Sequence, residues 1–114
     1  MAGAANRVLL DGEVRGSVRH GATPAGLLVV RFELGHRSTQ TEAGAPMRVA
    51  CRVAVVACGD AAPREGELTA GDRVRVEGFL AAAARGGGLV IRARRIERLD
   101  REGRHGGAGG REED

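Results

Sequence analysis

Lysine, tryptophan and tyrosine are absent from this 114-residue chain, and Phe32 and Phe79 are its only aromatic residues. The interior therefore has to be built from Val, Leu, Ile and Ala. Proline is scarce, with three residues against 19 glycines, a balance that points to strands and turns rather than to a helical bundle. No apolar run approaches the roughly 18 residues of a membrane-spanning helix, and residues 1–6 have neither a basic leader nor an apolar stretch of signal-peptide length. A soluble, cytoplasmic protein is expected. Cys51 and Cys58 have no Cys or His neighbour at a zinc-site spacing, so they are expected to be buried free thiols, with no metal site and no cofactor.

Charge is distributed unevenly. All 18 basic residues are Arg, and the formal net charge is +3. Residues 1–99 hold 15 Arg against ten carboxylates, a surplus of +5, whereas residues 100–114 hold three Arg against five carboxylates, a balance of −2. A basic body attracts polyanions, nucleic acid among them, without specifying sequence or mechanism. The length suits one domain.

Side chains alternate in short blocks bounded by glycine, the pattern of a small antiparallel barrel. A first strand is expected over residues 7–15, with Val8, Leu10 and Val14 on the inner face. Residues 16–26 read as a connection, and a second strand over 27–36 turns Leu28, Val30, Phe32 and Leu34 inward. Residues 37–46 are polar and hold Gly44 and Pro46, which suggests a mobile loop. In the third strand, over 47–58, Val49, Cys51, Val53 and Val55 alternate with Arg48, Ala50, Arg52 and Ala54. One helical turn at most fits residues 59–71. A fourth strand over 72–80 turns Val74, Val76 and Leu80 inward, and a fifth begins at Leu89 after a glycine-rich tip. Its alternation slips at Ile96, which calls for a bulge near Arg94 and Arg95. The expectation is all-β: an OB-fold domain over 1–99 followed by a disordered, acidic, Gly-rich tail over 100–114. An SH3-like barrel is the structural alternative.

Specific residues then match a family pattern. Asn6, Arg7, Val8, Leu9 and Leu10 followed by Gly12, then Pro24, Gly26, Phe32 and Leu34, and above all His36-Arg37-Ser38 with Gln40 and Glu42-Ala43-Gly44, resemble the primosomal replication protein N (PriB) family. Cys51, Gly71, Arg73, Gly78-Phe79, Gly88 and Ile96-Glu97 continue the pattern in order. Its most specific part runs from Phe32 to Gly44, where an OB barrel does not dictate polar residues. The opening is shared with bacterial single-stranded DNA-binding proteins. The resemblance implies a homodimer that binds single-stranded DNA and the PriA helicase, with further primosome proteins as partners, and that helps reload the replicative helicase at stalled forks. It also implies aromatic stacking positions where this chain has Ala45 and Ala50. No enzyme activity and no catalytic residue are expected.

Arg31, Arg48, Arg52 and Arg85 are the candidate nucleic-acid contacts, because an OB-fold binds across its second and third strands and with its loops. A solvated strand face is the plainer explanation for exposed Arg. Arg73, Arg75, Arg92 and Arg94 are expected chiefly in intramolecular pairs with residues such as Glu77 and Glu97. His36, Arg37, Ser38 and Gln40 are candidate partner contacts, with loop anchoring as the alternative. His36, Ser38 and Glu42 lie close in sequence, but a hydrolytic triad needs spatial convergence that proximity does not supply. Leu9, Val29, Val56 and Phe79 fall on outward positions and suggest a subunit interface, unless the strand registers are displaced. Two further functions stay open: a primosome adaptor with weak DNA binding, and an ordinary single-stranded DNA-binding protein. The second is disfavoured by an ending, Arg111-Glu112-Glu113-Asp114, that lacks an acidic-hydrophobic tip.

Overall fold

The computed structural model describes residues 3–99. Five strands are present: β1 (Val8–Ala22), β2 (Leu28–Glu42), β3 (Ala45–Cys58), β4 (Arg73–Ala82) and β5 (Leu89–Arg98). They close into a barrel in the order β1-β2-β3-β5-β4, with β3 and β5 parallel and all other pairs antiparallel. This is the expected all-β OB-fold barrel. Val14, Val30, Leu34, Val55, Val74, Val76 and Ile91 are the largest fully buried side chains, joined by Phe32. One 3-10 turn, Gly59–Ala61, follows β3, and Ala62 and Leu68 beyond it close one end of the core. The tail expected over 100–114 lies outside the described residues.

Two segments expected as connections are strand. Residues 16–22 continue β1, because Gly16 adopts a positive φ of 69° and the register shifts between Arg15 and Arg19. The extra residues bend β1, which pairs with β4 over Val8–Glu13 and with β2 over Glu13–Ala22. Residues 37–46 are likewise not a loop. β2 and β3 pair without a break from Val29↔Cys58 to Glu42↔Ala45, and only Ala43 and Gly44 turn the chain. Both have positive φ, 52° and 80°, the backbone of a type I′ hairpin turn. Because β1 pairs with β2 no further than Gly35 and β5 pairs with β3 only over Ala54–Ala57, residues 36–53 form a two-stranded arm beyond the barrel.

That arm explains a further correction. Cys51 has inward parity, but no strand lies opposite the arm, and the thiol is exposed rather than buried; Cys58, beside the barrel, is half-buried. Leu80, also expected inside, is 39% exposed. The bulge expected near Arg94 is present: Glu77 faces Arg95 and Gly78 faces Ala93, leaving Arg94 unopposed. Gly78 passes so close to β5 that a Cβ there would run into the carbonyl of Arg92 and sit 2.9 Å from the Ala93 Cα.

Candidate nucleic-acid interface

The alternation of β2 and β3 assigns Arg31, Glu33, Arg37 and Thr39 to one outer face with Arg48, Ala50, Arg52 and Ala54. Arg37 pairs with Ala50, which lies between Arg48 and Arg52, so three guanidinium groups surround a bare alanine. Arg31 pairs with Val56, eight residues along β2 from Thr39, the partner of Arg48. At about 3.4 Å per residue the Arg row spans roughly 27 Å. Arg31, Arg37, Arg48 and Arg52 are all exposed. Arg52 reaches Glu33 at 3.6 Å, an open pair on a wet surface. Among the described residues Arg31, Arg37, Arg48 and Arg85 have no ion pair.

Several arginines elsewhere on the barrel are held by contacts within the chain, while exposed Arg19, Arg64 and Arg95 have no ion pair among the described residues. Arg75 forms a fork on Asp11 with distances of 2.8 and 2.9 Å, and the hydrogen bond and charge of that carboxylate push the guanidinium further up from its ordinary range. Arg7 meets Glu77 at 3.2 Å, and Arg98 approaches Asp72 at 3.7 Å. Arg94 stacks 5.0 Å from the Phe79 ring centroid, and Arg92 donates to Cys58 Sγ. The expectation that Arg75, Arg92 and Arg94 serve intramolecular contacts agrees with this arrangement, although a ring and a thiol take the place of carboxylates for two of them.

Arg85 stands exposed in the connection between β4 and β5, which the Ala83 N–H closes by donating to the Gly88 carbonyl at 2.9 Å. At the base of that connection, Ala81 and Ala83 pack on Val29, Val56 and Val90. Val56 is the partner of Arg31, so the loop that carries Arg85 rises beside the far end of the Arg row. The same packing corrects the expected subunit interface. Val29 and Val56 are 6% and 7% exposed, covered by their own chain, and Phe79 lies beneath Arg94; of the four residues only Leu9, at 65%, is open.

The expected cluster of His36, Arg37, Ser38 and Gln40 is divided by strand parity. His36 Nδ1 lies 2.7 Å from the Asp11 carbonyl, which only accepts, so this nitrogen carries the proton and donates. His36 Nε2 then accepts from the Ser38 hydroxyl at 2.8 Å, and Gln40 Nε2 donates to Ser38 Oγ at 2.8 Å. This chain of bonds ties the arm to β1. Arg37 points to the opposite face, among the nucleic-acid candidates. Sequence reasoning missed that position because it ended the second strand at His36; continued by one residue, its alternation groups Arg37 with Arg31. The third partner of the Ser38–His36 pair is a backbone carbonyl, not Glu42, and the two side chains line separate concavities. Among the described residues no three His, Cys, Asp or Glu side chains are grouped to hold a metal ion.

Where β1 parts from the arm, a cleft of about 370 Å³ opens between Asp11, Glu13, Arg15, Arg37, Arg52 and Arg73, with Cys51 and His36 in its wall. Gly12 and Gly35 bring the backbones together there: a Cβ on Gly12 would meet Leu34 Cγ at 2.9 Å.

Comparison with known proteins agrees with this fold. Residues 6–95 match a family described as another single-strand binding protein family. The replication restart protein PriB of Proteus mirabilis is 38% identical over 100 residues, 84% of this chain and 95% of that protein. The solved structure of PriB from Ralstonia solanacearum superposes with a TM-score of 0.72 at 25% identity, covering 84% of this chain and all (100%) of that one. A deletion mutant of the single-stranded DNA-binding protein from Thermus aquaticus superposes with a TM-score of 0.70 at 27% identity, over 90% of this chain and 54% of that one. Matched along most of its length in sequence and in backbone path, the chain belongs to the PriB family of replication restart proteins, related to the bacterial single-stranded DNA-binding proteins.

Proposed function

We propose that this protein is an accessory component of the replication-restart primosome that binds single-stranded DNA along the outer face of β2 and β3. It helps the PriA helicase reload the replicative helicase at stalled forks. The observation that carries the proposal is the row of exposed Arg31, Arg37 and Arg48, which share one outer face of β2 and β3 and have no carboxylate partner among the described residues. Phosphates supply the charge that row lacks. Residues 1–99 act as the binding domain, with Arg52 and Arg85 as further contacts, and the protein works as a binding partner in the cytoplasm rather than as an enzyme. The arm carries the PriA surface: Arg37 and Gln40 are exposed on it, and His36 and Ser38 hold it in place. A homodimer is supported by Leu9 and by residues 8–12 of β1, which pair with β4 alone and leave one strand edge open.

The test is fluorescence-anisotropy titration with a thymidine oligonucleotide at several salt concentrations. Five Arg–phosphate contacts, from Arg31, Arg37, Arg48, Arg52 and Arg85, correspond to a slope of log K against log salt of roughly −3.5 for a single strand. Binding without salt dependence overturns the assignment of the Arg face. A second reading, an adaptor that chiefly recruits PriA, is favoured by exposed Ala45 and Ala50 at the implied stacking positions. Each missing platform removes about 1–3 kcal/mol per base. Capture of PriA by a form that binds no oligonucleotide decides for the adaptor.

A further inference from the structure

On the side of β2 away from β3, Arg31 stands opposite a second arginine, Arg19 of β1. The next pair, His20↔Val30, turns Val30 into the core, so Arg19 and Arg31 share the outer face, and both are exposed. Neither has an ion pair among the described residues. Side chains directly opposite in an antiparallel pair have Cβ atoms about 4.5–5.5 Å apart, and like charges placed there are destabilising. Glu33, two residues along β2 from Arg31, is turned to Arg52 at 3.6 Å. The bulge in β1 creates this juxtaposition. Between Arg15↔Glu33 and Arg19↔Arg31, three residues of β1 stand against Phe32 alone; continued without that shift, the register would set Ser17 opposite Arg31. Bulges commonly re-aim side chains at functional sites.

We propose that Arg19 and Arg31 form a clamp that holds one phosphate group of single-stranded DNA between β1 and β2. A phosphate placed between two guanidinium groups accepts forked N–H···O bonds from both. Its charge also cancels their repulsion, so an arrangement that destabilises the free protein is relieved on binding. The clamp rests on the nucleic-acid reading of the Arg face given above and adds a course to it. Val56, with Ala83 and the loop of Arg85 beside it, lies on one flank of Arg31, and Arg19 lies on the other. A strand that passes Arg31 therefore runs between Arg85 and Arg19. Because the two side chains share one phosphate, the number of neutralised phosphates, and with it the salt slope, stays as stated above.

The experiment compares the full chain with Arg19→Gln, Arg31→Gln, the double Gln variant and Arg19→Glu. Each single Gln substitution should weaken binding of a thymidine oligonucleotide about two- to fivefold at low salt, the scale of an exposed ion pair. The double variant should lose less than the product of the two and flatten the salt slope by roughly 0.7, one phosphate. Losses that multiply, with a slope flattened by roughly 1.4, assign two separate phosphates and overturn the clamp. Wild-type affinity in Arg19→Gln overturns it as well. Arg19→Glu sets a carboxylate opposite Arg31, so the thermal midpoint should rise by about 1–5 °C while oligonucleotide binding weakens. An unchanged or lower midpoint contradicts the opposed guanidinium groups and overturns the clamp. In nitrogen-15 spectra, inorganic phosphate should shift the Nε–Hε signals of Arg19 and Arg31 at lower concentration than that of Arg64, which is exposed outside the strands. A response no earlier than that of Arg64 overturns the site. If inorganic phosphate shifts both signals but the oligonucleotide does not bind, the phosphate site stands and the DNA-binding function fails.

Discussion

Gly78 and Gly21 differ only in what surrounds them. At Gly78 a Cβ meets the backbone of Arg92 and Ala93 on β5, whereas at Gly21 nothing lies within 4 Å. Gly78→Ala is expected to lower stability by about 3 kcal/mol, the upper end of overpacking costs, because a strand backbone has to move. Gly21→Ala should be neutral or stabilise by up to about 0.5 kcal/mol through lost unfolded-state entropy. Thermal or urea melts of the two variants check both. The proposed contact residues separate in the same way. Arg37→Ala and Arg52→Ala are each expected to weaken oligonucleotide binding and flatten the salt slope by roughly 0.7, while Arg75→Ala, whose partner is Asp11, leaves the slope unchanged. Ala50→Trp should raise affinity by about tenfold or more without steepening the slope, since a stacked ring releases no counterions. Salt-dependent titrations of the four variants distinguish these outcomes. Arg31, Arg48 and Arg52 were legible as candidates from parity, and Arg75 as an internally paired residue, but its partner was not, because Asp11 is distant in sequence.

The arm is the element least visible in sequence. An ordinary strand announces itself by a buried face, and residues 37–46 have none: all but Ser38 are exposed, so apolar and polar residues do not alternate. What holds them is the backbone ladder from Arg37↔Ala50 to Glu42↔Ala45 together with a turn of two left-handed residues. Ala43 pays for its positive φ, since a Cβ disfavours that region by about 1–2 kcal/mol. Ala43→Gly is therefore expected to stabilise the protein by about 0.5 kcal/mol or slightly more, and Ala43→Asn by a similar amount, as Asn-Gly suits a type I′ turn. The midpoint of thermal unfolding measures this, and an unchanged or lower midpoint contradicts the turn assignment. The bulge at Arg94 was readable because there a buried face does exist: Ile91, Ala93 and Ile96 cannot share it without an extra residue between them.

For the whole molecule, the proposed dimer rests on the open β1 edge and on Leu9. Sedimentation equilibrium at micromolar concentration is expected to give twice the 11.9 kDa chain mass, and a monomer mass contradicts the use of that edge. Leu9→Glu should shift the equilibrium toward monomer while leaving the barrel core intact, since this side chain is 65% exposed. Val29 and Val56, outward by parity, are not part of the argument for association. Ala81 near the end of β4 and Ala83 of the connection that follows already cover them, and a local alternation rule cannot register a segment distant in sequence that packs over a strand.

Alternation and glycine spacing were enough to specify five strands, a barrel built from aliphatic side chains and a basic body, because each rests on neighbours a few residues apart. Family membership was legible for the same reason, in the run from Phe32 to Gly44. Long-range pairing decided the rest. It extended β1 and β2 through stretches that read as loops, exposed Cys51 by leaving the arm without a facing strand, joined Arg37 to Arg48 and Arg52, and separated Arg37 from His36 and Ser38. It also separated some of the arginines: Arg75, opposite Asp11 on β1, is held by that carboxylate, whereas Arg37 and Arg48, opposite Ala50 and Thr39, have no ion pair among the described residues. Which carboxylate an arginine reaches is set by the strands brought beside it, and that partner lies up to 70 positions away in the chain.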